Sequence, residues 1–133
     1  VGYMLADPNV VLEVEKFMSI DNTNIAGAVA ATASLQDQTF AQLSLQSNAE
    51  SRQIVQNALK ELGLKFVPSN GNFVFHEIKG NIKTYQERMK INGIFVGREF
   101  LPIQSWIRLT LGTPEEMQYF VNVLKEFRKK GWV

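Results

Sequence analysis

The sequence predicts an α+β fold, a small and mainly antiparallel sheet covered by helices and preceded by a long helix. Between Thr39 and Leu62 neither Gly nor Pro interrupts the chain, and Phe40, Leu43, Ser47, Ile54, Ala58 and Leu62 can share one drifting helical face. Further on, residues 72–78 alternate, with Phe73, Phe75 and Glu77 on one side and Val74, His76 and Ile78 on the other. Thr113-Pro114-Glu115-Glu116 is the clearest local signal. It is a Thr-x-x-Glu capping box with Pro at the first helical position and acids beside the positive end of the helix dipole. Elements segregated along a chain in this way form a sheet with helices layered on one face.

The remaining elements follow from spacing and punctuation. Asp7-Pro8 supplies an N-cap and a helix start, and Val10, Val11, Val14, Phe17 and Met18 place a short helix over 8–18. A polar turn from Ser19 to Asn24 precedes a second helix in the alanine-rich stretch Ile25 to Leu35, whose Ala26, Ala30 and Ala33 suit close helix packing. Gly63 terminates the long helix, Leu64-Lys65-Phe66-Val67 is extended, and Pro68-Ser69-Asn70-Gly71 turns into the alternating strand. Ile82, Tyr85 and Met89 mark a helix over 81–91 closed by Gly93, and Ile94-Phe95-Val96 and Trp106 to Leu111 read as strands. In the last helix Met117, Phe120, Val121, Leu124 and Phe127 form the buried stripe. Lys125, Arg128, Lys129 and Lys130 there oppose the negative end of the dipole.

Composition narrows the function. With 133 residues, 45% of them hydrophobic, the chain can bury one core. A formal charge of +1 gives no electrostatic case for a nucleic-acid or membrane-surface binder, and the aromatic run Gly71 to His76 lacks the flanking Lys or Arg of an RNA-binding strand. The absence of Cys excludes disulfides, thiolate metal sites and a cysteine nucleophile. No apolar run approaches the roughly 20 residues that span a bilayer, so the chain reads as soluble and cytoplasmic. Residues 1–50 carry Lys16 against six acids, leaving the basic excess in residues 51–133, which favours an anionic ligand there. The opening Val1 to Ala6 resembles the tail of a strand, and the chain is expected to be a fragment.

The catalytic inventory is short. His76 is the single histidine, so a multi-histidine metal site or a catalytic triad would rest on one ring, and the plainer reading is a surface or half-buried strand residue. Glu115 and Glu116 are accounted for by the helix start, Glu13 and Glu15 point to different helix faces, and no glycine-rich phosphate loop is present. Two arginines remain. Arg98 follows Gly97, and Arg108 sits mid-strand between Ile107 and Leu109. A guanidinium there is costly to bury unpaired and its planar fork suits bidentate capture of a carboxylate or phosphate, while alternation alone equally permits an ordinary outward surface residue.

The stretch Asn92 to Phe100, then Trp106-Ile107-Arg108-Leu109-Thr110-Leu111-Gly112-Thr113 and Pro114-Glu115-Glu116-Met117, resembles the C-terminal part of histidinol-phosphate aminotransferase-like enzymes. Val1-Gly2-Tyr3, Ala6-Asp7-Pro8, Asn24-Ile25 with the alanine run to Asp37, and Pro68 to Phe73 follow the same family in order and spacing. The resemblance implies a fold-type I aminotransferase dependent on pyridoxal phosphate, with residues 1–37 as helices continuing from a large domain and 38–133 as the small C-terminal domain. It implies that the cofactor-anchoring lysine and a phosphate-gripping arginine stand upstream of Val1, so this chain alone is expected to be inactive and not to bind the cofactor. It further implies that Arg108 binds the substrate's anionic end, with Arg98 as the second arginine of that site. The substrates would be a small-molecule amino donor, histidinol phosphate or an amino acid, and a 2-oxo acid, in a homodimeric enzyme. From another class, the strand-helix-strand-strand-helix order also suits a stand-alone ferredoxin-like effector-binding module.

Overall fold

The computed structural model describes residues 1–19, 23–97, 99–100 and 103–133. Its helices are α1 (Pro8–Glu15), α2 (Ile25–Gln36), α3 (Gln38–Glu61), α4 (Ile82–Ile91) and α5 (Pro114–Lys129), and its strands β1 (Phe66–Val67), β2 (Phe73–Glu77), β3 (Glu99–Phe100) and β4 (Ile103–Thr110). None of these helices is long and apolar enough to cross a membrane. The chain divides into two compact units, Val1–Leu43 and Ser44–Val133, with the division inside α3.

In the first unit both helices are capped as their sequences require. The Asp7 carboxylate accepts from the Asn9 N–H at 2.9 Å, and the Asn24 side chain accepts from the Gly27 N–H at 3.0 Å. Helix α1 ends at Glu15, short of the predicted 18, and neither α1 nor α2 buries a residue. The apolar side chains Val10, Phe17, Ile25, Val29 and Leu35 are all exposed.

The second unit is the α+β layer. Its sheet has the order β1-β2-β4-β3 with every neighbour antiparallel. Strands β2 and β3 thus flank β4 and are joined through α4, a split βαβ arrangement. Val74, His76, Ile78, Ile107 and Leu109 of the sheet's inner face are buried in one core with Val55, Ala58 and Leu59 of α3, Ile82, Tyr85 and Met89 of α4, and the whole predicted stripe of α5. Within this unit, the described helices pack on that inner face. The buried face of α3 runs through Ser51, Val55, Ala58 and Leu59, whereas Phe40 and Leu43 of the predicted face are exposed.

Helix ends follow the predicted chemistry. Gly63, at φ 65°, closes α3 as the Leu64 N–H reaches back to the Leu59 carbonyl at 2.9 Å. At α5 the Thr113 hydroxyl accepts from the Glu116 N–H at 3.3 Å and the Glu116 carboxylate accepts from the Thr113 N–H at 2.8 Å, completing the capping box. Replacing Thr113 with Ala is expected to lower stability by about 1 kcal/mol. Urea unfolding with an unchanged slope and an earlier midpoint would show it, and an unchanged midpoint would refute it.

One predicted strand is absent. Ile94-Phe95-Val96 has strand-type residues but pairs in no ladder. The Ile94 N–H instead caps α4 on the Met89 carbonyl at 3.0 Å, and Ile94 and Val96 pack against the core as half-buried connectors. The edge strand beside β4 comes later, at Glu99 and Phe100.

Candidate functional site

The strand register decides which side chains meet on the open face of the sheet. In β2 and β4, Val74 pairs with Leu109 and His76 with Ile107, and these face the helices. The intervening pairs therefore face outward: Phe73 with Thr110, Phe75 with Arg108, and Glu77 with Trp106. Arg108 is exposed, and its guanidinium lies over the Phe73 ring, 5.4 Å from the centroid. Among the described residues no carboxylate lies within ion-pair distance of it. Beside it the Phe75 ring stands 5.3 Å from Trp106 and meets the edge of Phe100 at 5.7 Å. The result is a fork of cationic donors carried on a strand, without an ion-pair partner among the described residues and set among aromatic rings.

Gly97 fixes the neighbouring chain to this strand. Its N–H donates to the Arg108 carbonyl at 3.2 Å, and its own carbonyl accepts from the Gln86 amide of α4 at 2.7 Å. A Cβ at position 97 would stand 2.5 Å from the Arg108 carbonyl oxygen, so only glycine permits this approach. Arg98, the next residue, lies outside the described residues.

His76 corrects the surface or half-buried reading given above. It is fully buried, its Nδ1–H donates to the Glu77 carbonyl at 2.9 Å, and the edge of its ring meets Phe120 at 6.3 Å. Its Nε2 has no partner among the described residues, and neither has the Tyr85 hydroxyl, which burial pushes far above the ordinary phenol range. The inward parity it shares with Val74 and Ile78 outweighs its polarity. Burial lowers its pKa from 6.5 to about 4, the bond to the Glu77 carbonyl opposing that only in part.

The unfolded chain therefore takes up a proton below pH 6.5 that the folded chain refuses until about pH 4. Stability due to neutral His76 is complete above pH 6.5 and is lost as pH falls toward 4. The expected loss is roughly 3 kcal/mol across that window. Urea midpoints at pH 7 and pH 5 should separate in the natural protein and converge in His76→Leu. Equal pH dependence in both would contradict this account.

Other clefts are less suited to an anion. One of about 720 Å³ between α4 and α5 is lined by Arg88, Lys125, Lys129, Lys130 and Trp132 among others. Its cations are engaged: Lys125 pairs with Glu61 at 2.7 Å, Lys129 with Glu126 at 2.6 Å, and Arg88 and Lys130 lie over Trp132 at 3.8 and 4.8 Å. No group of three His, Cys, Asp or Glu among the described residues is placed to hold a metal ion.

Comparison with known proteins then fixes the family. The sequence model for aminotransferase class I and II matches residues 1–124. The chain belongs to the class I and II aminotransferase family. Among curated relatives, the histidinol-phosphate aminotransferase of Akkermansia muciniphila is 29% identical over 126 residues, covering 95% of this chain and 35% of that protein. The corresponding enzyme of Brevibacillus brevis is 30% identical over 127 residues, covering 95% and 35%. Among solved structures, a provisionally assigned histidinol-phosphate aminotransferase from Erwinia carotovora atroseptica is 42% identical with a TM-score of 0.88, covering 97% of this chain and 37% of that one. Histidinol-phosphate aminotransferase from Sinorhizobium meliloti, solved with pyridoxal-5'-phosphate, is 26% identical with a TM-score of 0.72, covering 92% and 35%. This aminotransferase-family chain thus spans about a third of the length of the curated relatives it matches. The fold-type expectation and the family resemblance both stand.

The aromatic surroundings of Arg108 and the role of Gly97 were not singled out in the sequence. The signal was present: Phe73 and Phe75 share parity in one strand, and Trp106, Arg108 and Thr110 share it in the other. What parity does not give is the register that brings the two sets together.

Proposed function

We propose that this chain is the substrate-anion-binding small domain of a pyridoxal-phosphate-dependent aminotransferase, with residues 38–133 as that domain and 1–37 as helices leading from a large domain. The intact enzyme transfers an amino group between an amino donor, histidinol phosphate or an amino acid, and a 2-oxo acid. Arg108 holds the anionic end of the substrate, and Arg98 is the second arginine of that site. The observation that carries this reading is the Arg108 guanidinium, without an ion-pair partner among the described residues, on a strand of a family member's small sheet. Gly97, bonded to the Arg108 backbone, supports the pairing of the two arginines. Family membership favours this reading over a free-standing effector-binding module. The homodimer implied by the resemblance and the cytoplasmic location belong to the same proposal.

Pyridoxal phosphate does not fit the residues present here. An anchoring lysine must be free in a cleft, but the lysines of the cleft between α4 and α5, Lys125, Lys129 and Lys130, are engaged by Glu61, Glu126 and Trp132, and the other lysines are exposed on helices or connecting segments. The cofactor would supply the electron sink from elsewhere in the enzyme. What this chain contributes is position: a bidentate grip on an anion fixes the substrate's orientation without taking part in proton transfer.

The test is nitrogen transfer in the full-length protein. With cofactor, ¹⁵N from labelled histidinol phosphate or glutamate should appear in the amino acid formed from an added 2-oxo acid, read by mass spectrometry. Release of the label as ammonia, or no transfer from any donor, would overturn the assignment.

A further inference from the structure

The backbone of Arg108 is held from one side by the sheet and from the other by a helix. In the β2–β4 ladder the Ile78 N–H donates to the Ser105 carbonyl and the Leu111 N–H to the Asn72 carbonyl, each at about 2.9 Å or less. Opposite residues of an antiparallel pair alternate between bonded and non-bonded, so Arg108 and Phe75 form a non-bonded pair and the Arg108 carbonyl points away from β2. Its donor is the Gly97 N–H at 3.2 Å. Gly97 stands ahead of β3, and its half-buried carbonyl must find a partner outside the regular strands. That partner is the Gln86 amide of α4, at 2.7 Å. Packing does not require a glutamine there: the buried face of α4 is Ile82, Tyr85 and Met89, and Gln86 lies half-buried beside it. Arg108 itself is exposed, with the Phe73 ring near its guanidinium and no ion pair among the described residues, so the direction in which its fork leaves the sheet is set by its backbone.

We propose that Gln86 is a positioning residue for the anion site: its amide holds Gly97, and Gly97 holds the Arg108 carbonyl, so that the guanidinium is presented in one direction. This rests on the reading of Arg108 given above. Gln86 touches no substrate and acts only through the two hydrogen bonds. Its anchor is firm because Tyr85 and Met89, on either side of it along α4, are locked in the core. The contact at Gly97 is close as well, since the Arg108 carbonyl oxygen occupies the space a Cβ would need. Loss of the Gln86 donor frees the Gly97 carbonyl to turn toward water and loosens this contact. A bidentate grip depends on the alignment of two parallel donors, so a small change in backbone direction weakens it.

A double-mutant cycle in the full-length enzyme tests this, with the unreactive acid 3-phenylpropionate titrated by calorimetry. Gln86→Met keeps the shape of the side chain and removes the donor. It should weaken the acid about fivefold and raise KM by a similar factor, with kcat within about twofold and the unfolding midpoint little changed. Made on top of Arg108→Gln, it should alter the affinity by less than about twofold, because the group it positions is gone. Amide hydrogen exchange of the segment 92–97, read by mass spectrometry, should be faster in Gln86→Met than in the natural enzyme. If Arg108→Gln alone leaves the affinity unchanged, the anion reading fails and the positioning role falls with it. If Arg108→Gln weakens the acid but Gln86→Met does not, or does so equally in both backgrounds, the anion reading stands and the positioning role is overturned. Unchanged exchange in Gln86→Met would overturn it too.

Discussion

Replacing Arg108 with Gln in the full-length enzyme is expected to lower kcat/KM by roughly a hundredfold or more, with unfolding essentially unchanged. Charge-assisted bidentate bonds of this type contribute about 3 kcal/mol when one partner is truncated, and each 1.4 kcal/mol is about tenfold in rate. Folding should not suffer, because Arg108 is exposed, lacks an ion-pair partner among the described residues and touches the sheet chiefly through the Phe73 ring. Lys at the same position should recover only part of the loss, since an ammonium cannot present two parallel donors. The loss should fall mainly in KM if Arg108 grips ground state and transition state alike. It should extend to kcat where the grip also aligns the amino group. Steady-state kinetics at saturating cofactor, paired with thermal melts, separates these outcomes. Unchanged specificity constants in Arg108→Gln would remove the basis for the proposed site.

Phe120→Ala has the largest expected effect on the fold itself, a loss of about 3–5 kcal/mol. The ring is only 1% exposed and lies where α5 meets the sheet, 6.3 Å from His76 and within the core that joins α3, α4 and β4. Its removal leaves a cavity that the short strands cannot collapse to fill, because their inner positions are already occupied by Val74 and Ile107. Phe120→Leu, keeping most of the volume, should cost less than half as much. Urea unfolding of the two variants checks both expectations, and a loss below about 1 kcal/mol for Phe120→Ala would mean the core is assembled differently.

Much of this architecture is legible in the sequence because the helices are strongly patterned. The α5 stripe, the α4 triplet Ile82, Tyr85 and Met89, and the Thr113–Glu116 capping box need only local spacing, and each is found where the spacing puts it. The two faces of β2 were equally readable from alternation. Pairing between distant segments was not. Ile94-Phe95-Val96 has strand-forming residues, but its first donor is taken by the end of α4, and the ladder beside β4 forms with Glu99 and Phe100 instead. His76 was misread because a lone titratable side chain is ordinarily kept in water, whereas here the parity it shares with Val74 and Ile78 carries it inside.

The candidate site shows the same division. An arginine between two apolar strand residues could be picked out from sequence, but whether it faced the core or solvent depended on the register with β2. Its aromatic setting depends on two strands more than 30 positions apart in sequence, Phe73 and Phe75 in one and Trp106 in the other. The glycine that lets the neighbouring chain approach its backbone is recognisable only once the Arg108 carbonyl is placed.

The central claim, that Arg108 recognises the negative charge of the ligand, is tested most directly by varying that charge at constant shape. The dissociation constants of 3-phenylpropionate and its primary amide should be measured for the full-length enzyme and for Arg108→Gln. The natural enzyme is expected to prefer the acid by roughly a hundredfold, and the variant to bind the two within a few-fold of each other. A preference for the acid that survives intact in Arg108→Gln would contradict the claim and place the anion-binding group elsewhere.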